Sequence, residues 1–134
     1  MHKIAIVSNN PLIACAAAYF VPVTGIVPVL ERARDLVHGG HHLLTHPLAG
    51  SVKPNENPYR SLVVTHEALG VDYQSILLLE GAITVARRML SERPYRAFPA
   101  AVLLDLQLID QALLRSAVDS LTATAGGSSI GISI

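Results

Sequence analysis

The chain has 134 residues, of which 51% are hydrophobic and 15% charged, and its ten Lys and Arg residues balance its ten Asp and Glu residues. This length predicts a single domain, residues 1–134, with one core. Nucleic-acid binders normally carry a basic excess, because phosphate neutralisation dominates their affinity. The even charge therefore argues against a nucleic-acid partner. The low charge also favours a homodimer, in which part of the apolar surface is covered.

The uncharged stretch of residues 4–30 raises the question of a membrane span. Asn9, Asn10, Pro11, Pro22 and Gly25 interrupt it, so two strands with turns fit better than a transmembrane helix. The first residues match a secretory signal poorly, and we expect a cytoplasmic protein without membrane association. The lone cysteine lies among alanines at position 15, and we expect a packed thiol there.

The N-terminal half predicts strands that alternate with helices. A strand at residues 3–7 is followed by an alanine-rich helical stretch at 12–18, which Asn10 caps and Pro11 opens. A second strand at 19–23 contains Pro22, which cannot donate to a neighbouring strand and so favours a sheet edge. A helix follows at residues 26–37 and ends at a Gly-Gly pair.

The C-terminal half predicts two strands and two long helices. The strands occupy residues 42–45 and 61–65, and the 46–60 segment between them holds three prolines, which exclude a regular helix. Long loops of this kind are commonly functional or disordered. The helices occupy residues 72–91 and 99–121. The tail from about residue 123 to 134 is Gly- and Ser-rich, and it is either flexible or docked as an edge strand.

The alternation of strands and helices predicts the α/β class, because β-α-β units pack with right-handed crossovers. We expect a small, mostly parallel sheet of three or four strands in the order 2-1-3-4, flanked by helices and followed by the C-terminal helices. The last helix is predicted to face the core with Val102, Leu106, Ile109, Leu113 and Ala117. Four more leucines lie off that stripe and indicate a dimer surface: Leu103, Leu104, Leu108 and Leu114.

Polar residues are concentrated where the predicted strands end, which is where ligands gather on parallel sheets. Asparagines at a helix start and cations in a proline-stiffened loop suit a small carboxylate or phosphate. In the alternative interpretation, the asparagines only form a turn and cap a helix, and the cations are exposed to solvent. The predicted ligand-binding residues are Asn9, Asn10, His46, Ser51, Lys53, Asn55, Arg60 and His66.

Histidine suggests an enzyme as the second hypothesis. His38, His41 and His42 lack the spacing and partners of a metal site, so neither a metal nor a cofactor is expected. His46 and His66 each follow a predicted strand, and either would serve as an acid or base, or as an anion donor. No nucleophile elbow, phosphate loop or paired carboxylates accompany them.

Three segments resemble the GrdX family: SNNPL at residues 8–12, RDLVHGGH at 34–41 and HPLAGSVKPNENPYRS at 46–61. The resemblance covers roughly residues 4–90. These small proteins are associated with glycine, sarcosine and betaine reductase gene clusters in amino-acid-fermenting anaerobes. The resemblance implies a cytoplasmic accessory to selenoprotein-dependent reductases, with a reductase-system protein as possible partner, and it implies no catalytic residues.

The residues leave three kinds of function open. The first is an accessory or small-ligand-binding protein. The second is a small enzyme acting on an anionic substrate, with His46 or His66 as acid or base and Asn9, Lys53 and Arg60 as binders. The third is a purely structural subunit.

Overall fold

A computed structural model describes residues 3–48 and 53–124. The central strand β1 (Ile4–Ser8) lies between β2 (Tyr19–Phe20) and β3 (Ser61–Thr65). Strand β2 is parallel to β1, whereas β3 is antiparallel to it, with Ser8 opposite Ser61. Helices flank this sheet, which confirms the α/β class. The sheet is mixed, so the expectation of a mostly parallel sheet holds for only one of the two strand pairs.

The predicted strand at residues 42–45 forms only an isolated bridge, between Leu43 and Val64. Thr45 Oγ1 takes the place of a backbone acceptor for the Val63 amide, while the Leu43 amide donates to Ser75 Oγ on helix α2 (Tyr73–Glu92). The predicted strand order 2-1-3-4 is wrong. The fourth predicted strand, which is β3 in the structure, pairs directly with β1, and the third predicted strand, residues 42–45, lies on the far side of β3.

The alanine-rich stretch is not a long helix. Asn10 caps a single 3₁₀ turn at Pro11–Ile13 as predicted, but the chain then reaches β2 without further helix. Residues 9–18 are at the lower limit of about 10–12 residues that a crossover helix needs, which explains the difference. Cys15 is exposed, so the expectation of a packed thiol was wrong.

The two faces of the sheet carry separate apolar clusters, as the alternation along β1 requires. Ala5 and Val7 face helix α1 (Ile26–His38), on which helix α2 (Tyr73–Glu92) packs. Ile4 and Ile6 face the opposite side, where helix α3 (Ala100–Thr124) covers them. All five residues of β1 are buried.

Helix α3 is rotated relative to the predicted stripe. Leu114 and Val118 are buried against the sheet, whereas Ile109 and Leu113 are each 41% exposed. Leu114 therefore belongs to the core and not to the predicted dimer surface, while Leu104 and Leu108 remain exposed.

Across the described residues, no helix combines the length and the apolar character that a membrane crossing demands. The part of the predicted tail from residue 125 onward lies outside the described residues.

Candidate functional site

A cluster of buried polar side chains lies where β1 ends and β3 begins. Asn9 is 3% exposed and holds three separate segments together. Its Nδ2 donates to the carbonyls of Val23, Gly25 and Pro58 at 2.9–3.0 Å. Its Oδ1 accepts from the Arg60 amide at 2.9 Å. Asn9 thus ties the end of β1 to the start of α1 and to the long loop.

Asn10 and Asp110 join this cluster to helix α3. Asn10 Nδ2 donates to the Gln107 carbonyl at 2.8 Å and to Asp110 Oδ2 at 3.0 Å, and its Oδ1 accepts from the Leu12 amide. Asp110 also accepts from the amide of Ser61 at 3.0 Å and from its hydroxyl at 2.6 Å. The side chains of Asn9 and Asn10 are therefore both hydrogen-bonded within the protein, as the alternative interpretation proposed.

Arg60 is buried beside Asp110 and is not a loop cation open to a ligand. Burial lowers the pKa of Arg60, and the charges of Asp110 and Tyr95 oppose that shift. Burial likewise raises the pKa of Asp110, against hydrogen bonds from Ser61 and Asn10 and the charge of Arg60. For both groups, burial is the main cause of the pKa shift, and the attraction between the opposite charges opposes it.

His46 lies at the edge of this cluster and is exposed. It lines a cavity of about 50 Å³ together with Arg60, Ser61 and Asp110. That volume suits one or two water molecules and is too small for an organic substrate. His46 also borders an apolar cavity of about 260 Å³ against α2, and no Lys or Arg is among the described residues that line it.

The antiparallel direction of β3 separates His66 from the rest of the predicted site. The His66 amide donates to the Lys3 carbonyl, next to the beginning of β1. His66 therefore lies at the opposite end of the sheet from Asn9 and Asn10. Ser51 falls outside the described residues.

Lys53 and Asn55 lie in a second location, which we call the arginine groove. It consists of two adjoining cavities of about 400 and 270 Å³ that share Asn55 and Arg93. The larger volume is within the usual range of about 300–1,000 Å³ for small-molecule sites. The lining residues are Lys53, Asn55, Glu56, Met89, Glu92, Arg93, Pro94, Arg96 and Leu106.

The cations of the arginine groove form no ion pair with the described residues. Within residues 3–48 and 53–124, no ion pair includes Lys53, Arg93 or Arg96, although two glutamates line the same cavities. The Arg96 guanidinium lies over the Phe98 ring, 5.4 Å from its centroid. Asn55 Oδ1 is buried without a hydrogen-bond partner. The groove thus presents cationic donors that no ion pair of the described residues occupies.

Sequence reasoning missed Asp110, Arg93 and Arg96. Asp110 was detectable as a carboxylate on the helical stripe that runs through Leu114 and Val118, since a charge within an apolar stripe needs a buried partner. The two arginines flank Pro94, where helix α2 has ended, but nothing in the sequence indicated that the long loop lies against them. The described residues hold no group of three or more His, Cys, Asp or Glu that would bind a metal ion.

Comparison with known proteins identifies the family. Residues 5–119 match the family described as GrdX-like protein, and the chain belongs to that family. This confirms the resemblance seen in the three sequence segments. No curated protein and no solved structure matches the chain.

Proposed function

We propose that this member of the GrdX-like family is an accessory protein that binds a small anionic ligand in the arginine groove. One observation carries the proposal: Lys53, Arg93 and Arg96 surround cavities of ligand size, and no ion pair of the described residues occupies them. Arginine donates two parallel hydrogen bonds to a carboxylate or phosphate, which gives both affinity and orientation.

The family supports a role beside glycine, sarcosine or betaine reductase systems, with a protein of such a system as partner. A cytoplasmic location is part of the same proposal. In this role the protein holds a ligand and transforms nothing itself.

The buried cluster supports the groove and does not bind the ligand. Asn9 fixes Pro58 and Arg60, and Asn57 donates to the Leu106 carbonyl and accepts from the Tyr59 amide, so the second half of the loop is held in one shape. Leu106 also lines the larger cavity. A site held rigid before binding loses less entropy when the ligand arrives.

The enzymatic alternative finds less support in the geometry. His46 and His66 lie at opposite ends of the sheet, and the space beside His46 is either too small or lined without Lys or Arg among the described residues. A histidine acting on an anionic substrate needs a cation to hold that substrate within its reach.

Calorimetric titration with inorganic phosphate and with acetate at low ionic strength tests the proposal. We expect the double variant Arg93→Gln/Arg96→Gln to weaken binding at least about tenfold, since each lost charge-assisted hydrogen bond is worth roughly 1.5–3 kcal/mol. Arg88→Gln is the matched control, because Arg88 is exposed on α2 and lines neither cavity. Equal affinity of the double variant and the wild type, or no binding at all, contradicts the proposal.

We also propose that a second copy of the chain covers the apolar patch of α3. The patch consists of Leu104, Leu108, Ile109 and Leu113, which are 41–48% exposed. All four side chains are exposed, whereas Leu114 and Val118 on the same helix are buried against the sheet. In a twofold homodimer the same patch of both copies forms one isologous interface.

Light scattering tests the homodimer. We expect twice the mass of the chain for the wild type and the mass of one chain for Leu108→Lys. Val71→Lys is the control, because Val71 is 53% exposed and precedes α2, outside the patch. A wild type with the mass of one chain at about 50 μM refutes the pairing.

A further inference from the structure

The arginine groove contains hydrogen-bond acceptors that a simple anion leaves unused. Glu56 lines the larger cavity and Glu92 the smaller one, and neither is in an ion pair of the described residues. Acceptors and cationic donors thus line the same two cavities.

This arrangement constrains what the groove would hold. A bare anion satisfies the guanidinium groups, but it lies near two carboxylates of its own sign. A ligand that also carries a hydrogen-bond donor offsets this repulsion, because the carboxylates accept from that donor. Leu106 adds an apolar side chain to the larger cavity, against which the carbon atoms between the polar groups of the ligand would pack.

We infer that the ligand carries a hydrogen-bond donor, an ammonium or hydroxyl group, close to its anionic group. The inference rests on the proposed function, since it names the ligand class of the same groove. Arg93 and Arg96 bind the anionic group, while Glu56 and Glu92 accept from the donor. The ligand class is thus that of small amino acids or hydroxy acids, and not that of simple carboxylates.

Three probes of one carbon skeleton test the inference by calorimetric titration of the full chain. Propionate has the anion alone, lactate adds a hydroxyl and alanine adds an ammonium. We expect lactate or alanine to bind at least about tenfold tighter than propionate, the factor that one hydrogen bond to a charged group contributes. A preference for alanine identifies the ammonium as the donor, and a preference for lactate identifies the hydroxyl.

The variants Glu56→Gln and Glu92→Gln, both at exposed positions, should reduce that preference while propionate binding stays equal or becomes tighter. Asp105→Asn, exposed on α3 and outside the groove, is the control, and thermal melts check that each variant is folded. Equal binding of all three probes overturns the inference and leaves anion binding intact. Absence of binding by all three, with phosphate also unbound, overturns both.

Discussion

Replacement of Asn9 by alanine distinguishes a structural role of this residue from a ligand-binding one. The change removes the donor to three carbonyls and the acceptor of the Arg60 amide, in a side chain that is 3% exposed. Each hydrogen bond contributes about 1 kcal/mol net, and a buried amide left without an acceptor costs roughly 1–3 kcal/mol. The Pro58 carbonyl keeps the Gly25 amide as a partner, which limits the loss. We expect about 3 kcal/mol of destabilisation.

Urea denaturation measures this loss directly. With a slope of roughly 2 kcal/mol per molar urea, the midpoint should fall by about 1.5 M. Domains of this size are stable by about 5–15 kcal/mol, so the variant remains folded and its phosphate affinity can be measured. That affinity should stay within about threefold of the wild type. Gln74→Ala, an exposed amide on α2, should change stability by less than about 0.5 kcal/mol. A loss below about 1 kcal/mol for Asn9→Ala refutes the structural role.

Two further predictions concern stability. Burial raises the pKa of Asp110, so the protonated carboxyl stabilises the folded protein. This stabilisation is fully present below the ordinary carboxyl pKa and is lost as the pH rises through the raised value. The unfolding free energy of the wild type minus that of Asp110→Asn should therefore fall as the pH rises from 4 to 7, and a difference that grows with pH contradicts this. Gly40→Ala should cost about 2 kcal/mol, because Gly40 has φ +107° and a Cβ there meets Ala68 and Gly70 at 3.3 Å. Gly81→Ala, with nothing within 4 Å inside α2, should instead add up to about 1 kcal/mol, and thermal melts that rank the two glycine variants the other way refute the reasoning.

The class and most elements of the fold were predictable from local patterns, but strand direction was not. The apolar run at residues 61–65 indicates a strand without indicating its partner. An antiparallel neighbour became possible because the long 46–60 loop allows the chain to return in either direction. Because β3 is antiparallel to β1, the end of β3 lies beside the beginning of β1. His66, which follows β3, was therefore predicted at the wrong end of the sheet.

The candidate site was only partly predictable, because its residues come from segments far apart in sequence. Asn9 and Asn10 were identified from their position after β1, but their partners Pro58 and Asp110 lie 49 and 100 residues away. Helix α3 is apolar around most of its circumference, so its periodicity fixed the inward face only to within about one residue. That rotation decides whether Asp110 faces solvent or the sheet.

The bond between Asn10 and Asp110 has a consequence for the order in which the chain assembles. Contacts between residues distant in sequence form slowly, because closing the long loop between them costs conformational entropy before the contact adds any stability. During synthesis Asn10 and Ser61 emerge before α3, and until α3 docks both lack the carboxylate that they donate to in the finished fold. We expect the end of the sheet at Ser8 and Ser61 to stay hydrated in the nascent chain and to lose this water only when α3 packs against it.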